Sequence, residues 1–213
     1  MADRNSGTAV KIQQAAIEEF QKYGFEGASL RQIVKKAGVT TGAFYGYYKS
    51  KEELFESFVE EPARELRELI FSSFYLFFKN ITADSGVRYY DTSMMPRLVD
   101  YILERKLECD LLFRKSKGTR YESFVCDIIK NHQERLEKHI NKLHQRGVET
   151  NPVSPVLNRL IVKKMYETFF NLIVSDLPPD EIRICAMNII RFHINGWEGL
   201  LIPDAHRKFL SRR

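Results

Sequence analysis

Cysteine is scarce: the 213 residues hold three, Cys109, Cys126 and Cys185, far apart and without a CxxC pair. Neither a disulfide framework nor a cysteine zinc site fits that pattern, so they read as buried thiols. Long apolar runs are missing as well. The nearest, Leu69 to Phe78, is interrupted by Ser72 and Ser73 and stopped by Lys79, short of the roughly 18 residues that a bilayer span needs. The opening MADRNSGTAVK lacks the basic-then-apolar order of a secretory signal, so the expected location is cytoplasmic, with no membrane partner. No phosphate-binding glycine loop, HExxH or GxSxG setting occurs, and no enzyme is expected. His132, His139, His144, His193 and His206 have no acidic ligand at fixed spacing, so neither a metal nor a cofactor is expected.

With only 11 glycines and 7 prolines, the chain is punctuated rarely, and the stretches between show helical rather than strand spacing. The expected fold is all-α, with about nine helices. A hydrophobic share of 44% against 29% charged residues fits a folded globular chain and excludes a disordered tail protein. The net charge of +5 leaves nucleic acid available as a partner. Its distribution is sharper evidence: from Gly27 to Lys51 the chain carries Arg31, Lys35, Lys36, Lys49 and Lys51 and no acid.

Ala9, Ile12, Ala16, Ile17 and Phe20 share a stripe, and Gly24 stops a first helix over about 8–23. Ser29-Leu30-Arg31-Gln32 reads as a capping box for a short helix ending at Gly38. Thr40 or Thr41 caps a third helix ending near Tyr48, and Ser50-Lys51-Glu52-Glu53 is the box of a fourth, over about 51–81, which Pro62 bends or splits. Asp84-Ser85-Gly86 reads as a loop, and Met94 to Leu107 and Glu108 to Lys115 as helices. Thr119-Arg120-Tyr121-Glu122 reads as a third box, opening a helix to about Gln145. Two last helices start at Ser154-Pro155 and Pro178-Pro179.

The second and third helices, joined by a glycine turn, have the spacing of a helix-turn-helix, whose second helix lies in the DNA major groove. Thr40, Thr41 and Tyr45 supply hydroxyls, Gly42 and Ala43 let the backbone approach, and Lys49 and Lys51 add cations. Ser29 and Arg31 hold the other flank through phosphates. Phe44 and Tyr48, four apart, are read as core, and Tyr45, on another face, as a DNA contact.

The stretch from Lys11 to Phe55 resembles the amino-terminal DNA-binding region of TetR-type transcriptional regulators. Tyr23-Gly24-Phe25, Ser29, Ile33, Ala37-Gly38-Val39, Gly42, Phe44-Tyr45 and Lys49 to Leu54 carry the likeness. The resemblance implies a ligand-responsive repressor: a homodimer on a partly palindromic double-stranded operator, contacted through Arg31, Thr41, Gly42, Tyr45, Tyr47 and Lys51. Gly46 and Tyr47 depart from the family's usual choices of a larger residue and a histidine. Residues 1–52 would form the DNA-binding domain and 53–213 a helical ligand-binding and dimerisation domain.

In such proteins the last two helices form the dimer interface. Here they carry Leu157, Leu160, Ile161, Met165, Phe169 and Leu172, then Ile182, Ala186, Ile189, His193, Trp197 and Leu200. A pocket for a hydrophobic effector would be lined by Tyr89, Met94, Tyr101, Phe113, Tyr121 and Phe124. Two other readings compete with the repressor. One is an architectural or cell-cycle DNA-binding protein of the same fold without an effector; the other is a helical enzyme with an accessory DNA-binding head.

Overall fold

The computed structural model describes residues 6–79, 94–201 and 203, with the side chains of 73–79 and 198 left outside that description. Nine helices lie among the described residues: α1 (Gly7–Gly27), α2 (Leu30–Ala37), α3 (Thr41–Tyr47), α4 (Lys51–Lys79), α5 (Met95–Glu104), α6 (Lys106–Arg114), α7 (Phe124–Gln145), α8 (Pro155–Ile173) and α9 (Pro179–Leu201). The expected all-α architecture is what forms. The Asp84–Gly86 loop, Tyr89 and His206 fall outside the described residues.

Local chemistry sets most helix ends. Ser6 Oγ accepts from the Ala9 amide at 3.3 Å, Thr40 Oγ1 from Ala43 at 3.1 Å and Ser50 Oγ from Glu53 at 3.0 Å, each satisfying an amide that the first turn leaves unpaired. Gly38 ends α2 at φ 66°, and Gly24 breaks α1 at φ 70°, so Phe25–Gly27 form a separate last turn. Pro62 lies inside α4 without splitting it. Two of the expected capping boxes form differently. Ser29 makes no side-chain cap bond; its amide donates instead to Glu19 Oε1 at 3.2 Å. Thr119 and Glu122 organise a turn, in which the Tyr121 amide donates to Thr119 Oγ1 and the Gly118 amide to Glu122 Oε2, and α7 begins only at Phe124.

By compactness the chain divides into Met1–Glu65 with Arg105–Phe124, and Leu66–Glu104 with Val125–Arg213, which differs from a boundary at 52/53. The reason is visible in the first unit. The Phe25 amide donates to the Lys115 carbonyl at 2.8 Å, Lys117 pairs with Glu26 at 2.9 Å, and Arg120 pairs with Glu56 and Glu60 at 2.9 and 3.1 Å. The turn after α6 is thereby fastened to the ends of α1 and α4. Phe20 packs edge-on against Phe55, with ring centres 5.1 Å apart, and Ile12, Ile33, Phe44, Tyr48 and Leu54 complete a core with no exposed surface. Each such burial contributes roughly 1.5–3 kcal/mol. In the second unit, α8 and α9 pack on each other and on α5, around Val162, Ile173, Ile182 and Ala186. No helix among the described residues is long and apolar enough to cross a membrane.

Candidate nucleic-acid interface

α2, the turn at Gly38 and α3 form a helix-turn-helix whose α3 has two distinct faces. Phe44 and Tyr48 are fully buried, and the Tyr48 hydroxyl accepts from Gln13 Nε2 at 3.0 Å, which fixes α3 against α1. Thr41, Gly42 and Tyr45 point outward, Tyr45 with 55% of its surface exposed and its ring edge-on to Phe44. The division expected from spacing alone, two aromatics inward and one outward, is the one the fold makes. Ala43 is half-buried, and its amide is occupied by the Thr40 cap. Thr40 Oγ1 therefore keeps its O–H for an outside acceptor.

Tyr47 is half-buried, and its hydroxyl accepts from Ser6 Oγ at 3.0 Å, tying the end of α3 to the first residue described. Gly42 and Gly46 both lie within α3 and neither has a positive φ. A Cβ at Gly46 would meet nothing within 4 Å, and one at Gly42 only Thr40 Oγ1, at 3.9 Å. Nothing among the described residues requires either residue to be small.

The basic island separates into two groups. Arg31, Lys35 and Lys49 are exposed and have no ion-pair partner among the described residues. Lys36 and Lys51 are engaged within the fold. Lys36 pairs with the buried Glu19 at 3.4 Å and with Glu18 at 3.8 Å. The Lys51 ammonium donates to the carbonyls of Phe25 at 2.6 Å and Ala28 at 2.8 Å, and lies 4.4 Å from the Phe25 ring centre. Burial holds its pKa below the usual lysine value, against the opposing pull of Glu26. Two of its three donors are used on those carbonyls.

Glu19 was not legible as part of this site. It reads as one more acid on a charged helix, yet it is buried and receives both the Ser29 amide and the Lys36 ammonium. Those contacts hold the start of α2 and leave the Ser29 hydroxyl out of the cap. The nearest signal was its place on the stripe that carries Ile12, Ala15, Ala16 and Phe20.

The residues expected to line a pocket do not share a unit. Phe113, Tyr121 and Phe124 belong to the first, with the Phe113 and Phe124 rings stacked at 6.3 Å, whereas Met94 and Tyr101 belong to the second. Of the expected dimer residues, Phe169, Ala186 and Trp197 are buried inside the chain's own fold, and Ile161, Met165, Ile189 and His193 are half-buried. Leu157 is exposed, as are Val156, Leu160, Ile184 and Phe192, the last by 74%. No group of three or more His, Cys, Asp or Glu that could hold a metal occurs among the described residues.

Residues 12–58 match the model of a family described as bacterial regulatory proteins, tetR family. The uncharacterised HTH-type transcriptional regulator YvdT of Bacillus subtilis is 45% identical over 60 residues, 28% of this chain and 31% of that protein. The probable acrEF/envCD operon repressor of Escherichia coli is 37% identical over 75 residues, 33% of each chain. Those matches span about a third of the length of the curated relatives. A solved structure of a member of the TetR transcriptional regulator family from Streptomyces coelicolor superposes with a TM-score of 0.58 at 19% identity, covering 92% of this chain and 93% of that one.

Proposed function

We propose that this chain, whose residues 12–58 match the tetR family model, is a sequence-specific DNA-binding repressor of that family that acts as a homodimer and responds to a small molecule. One observation carries the reading: α3 is anchored by Phe44 and Tyr48 while Thr41, Gly42 and Tyr45 are presented outward beside the unpaired cations Arg31, Lys35 and Lys49. In the major groove, hydroxyls and close backbone approach read base edges, and the flanking cations hold phosphates. The open space at Gly46 supports the same reading. A mid-helix glycine costs roughly 1 kcal/mol relative to alanine, and packing among the described residues gives it no reason to be there.

Residues 1–52 supply the DNA-binding part of this proposal, and the remainder its dimerisation and effector parts. The homodimer is supported by the apolar side chains that α8 and α9 leave uncovered, Val156, Leu157, Leu160, Ile184 and Phe192. Two copies packed through that face bury it symmetrically. Their two α3 helices then read half-sites roughly 34–36 Å apart. An effector lowers operator affinity by binding more tightly to a dimer whose α3 helices are spaced wrongly for those half-sites.

The test is selection of bound sequences from a random duplex pool by the purified protein at near-physiological salt. A recovered palindrome is expected. Recovery of no motif, with binding that fades smoothly as salt rises, would mean phosphate contacts alone and would put the architectural reading in its place.

A further inference from the structure

α3, the helix that the proposed function places in the major groove, runs from Thr41 to Tyr47, and none of its seven residues is an arginine, lysine, asparagine, glutamine, aspartate or glutamate. Those are the side chains that pair with base edges: arginine or lysine with guanine, asparagine or glutamine with adenine, and the carboxylates with cytosine. The nearest such groups that are exposed stand off the helix. Arg31 and Gln32 are on α2, the helix that crosses the phosphate backbone in a helix-turn-helix, and Lys49 lies beyond the end of α3.

What α3 presents outward is Thr41, Gly42, Tyr45 and Gly46. Residues four apart on a helix lie one above the other, with about 5–6 Å between Cβ positions, so Thr41 and Tyr45 make a ridge and Gly42 and Gly46 a bare strip beside it. The strip is open: a Cβ at Gly46 meets nothing within 4 Å, and one at Gly42 meets only Thr40 Oγ1, at 3.9 Å. The ridge is held in place, because the Tyr45 ring stands edge-on to the buried Phe44, with centres 5.4 Å apart. The Tyr47 hydroxyl is bonded to Ser6 Oγ at 3.0 Å and belongs to the anchored side of the helix.

We infer that α3 reads thymine methyl groups: the Thr41 γ-methyl and the Tyr45 ring pack against thymine C5 methyls that reach into the strip left by Gly42 and Gly46. This rests on the DNA-binding reading above and names the feature of the operator that the helix recognises. The thymine methyl is the apolar group of the major-groove edge, and contact with it needs neither an amide nor a charge. The Thr41 and Tyr45 hydroxyls bond donors and acceptors alike, so they add affinity without choosing a base pair by themselves. The positions that α3 faces are therefore A·T pairs, and the methyl carries the choice.

The test uses the operator recovered by selection from the random pool, with its thymines replaced by deoxyuridine, which lacks the methyl and keeps every hydrogen-bonding group. Replacing the equivalent thymine in both half-sites should lower affinity about ten-fold where α3 faces it, roughly what two buried methyl groups contribute. At the same positions 5-methylcytosine should bind better than cytosine by a similar factor. A chain carrying Thr41→Ser and Tyr45→Ala, both at exposed positions, should bind the thymine and uracil operators alike, measured at low salt where phosphate contacts keep binding strong. Equal binding of the two operators by the unaltered chain, 5-methylcytosine no better than cytosine, or full discrimination by the doubly substituted chain would overturn the inference. A pool that yields no motif overturns the regulator reading together with this one. A motif whose affinity ignores the methyl overturns this one alone and returns readout to Arg31, Gln32 and Lys49.

Discussion

Lys51 and Lys49 are two residues apart in sequence and differ in what their charges do. The Lys51 ammonium joins the Phe25 and Ala28 carbonyls at the carboxyl-terminal end of α1, whereas Lys49 is exposed and has no acid against its ammonium among the described residues. Substituting each by methionine separates the two roles. Lys49→Met should reduce the slope of log affinity against log salt by about 1, the signature of one phosphate lost, with little change in thermal stability. Lys51→Met should lower the melting temperature first, because two part-buried carbonyls lose their donor, and should change the salt slope less than Lys49→Met does. A Lys51→Met variant of unaltered stability would return that residue to a purely phosphate role. His132 makes a second residue-scale prediction. Burial foremost, then His193 and Arg135, hold its pKa at about 3 against the ordinary 6.5, and the group facing its ring nitrogen is the Tyr166 hydroxyl, itself pushed well above its usual value by burial. Between those two pKa values the unfolded chain binds a proton that the folded chain refuses, so stability is intact above about pH 6.5 and falls as pH drops toward 3. Urea denaturation from neutral to acid pH should show a loss approaching roughly 1 kcal/mol per pH unit. His132→Gln should flatten that profile without abolishing it, since His139, held at about 4 mainly by burial, titrates in the same sense. An identical profile in the variant would remove His132 as the source.

At the scale of the element, α3 carries a glycine that its own helix does not want. Gly46→Ala should raise thermal stability, by up to about 1 kcal/mol, because a Cβ there meets nothing within 4 Å. It should at the same time weaken operator binding, if the backbone at that point lies against the groove. Stabilisation with unaltered DNA affinity would mean that Gly46 is merely tolerated. The same helix shows what sequence makes legible. Thr40 as cap, Gly38 as left-handed stop and the inward pair Phe44 and Tyr48 are short-range features, decided within one or two turns, and they could be read directly. Ser29 could not, because the partner that takes its amide is Glu19, ten positions earlier on another helix. Thr119 misled for a related reason: the sequence has the letters of a capping box, but Ser116, Thr119 and Glu122 close a turn on themselves before α7 begins. The apolar stripes of α8 and α9 were found, but not which edge of each faces inward. Helical spacing marks a face without saying what covers it, so Trp197 and Phe169 read the same as Leu157 until packing placed them.

For the whole molecule, the question is what covers the apolar surface that this single chain leaves open. Ile184 is 63% exposed and Phe192, two turns further along α9, is 74% exposed, with Leu160, Leu157 and Val156 exposed on the partner helix α8. The Asn151 bonds tie the segment before α8 to the carboxyl-terminal end of α9. A monomer gains nothing by keeping this many large apolar groups in water on one helix pair, and in the proposed dimer a symmetric second copy covers them. In the proposed dimer, Phe192→Glu places a charge within that face. Sedimentation should then give the mass of one chain in place of two. Trp197 emission, which reports the covered side of the same helix, should stay as it was and so show that the fold is intact. Operator binding should fall far more than any single DNA contact explains, about a hundred-fold or more, because two linked half-site contacts become two separate ones. A Phe192→Glu chain that still sediments as a dimer would move the interface off α8 and α9, and with it the argument that sets the spacing of the two α3 helices.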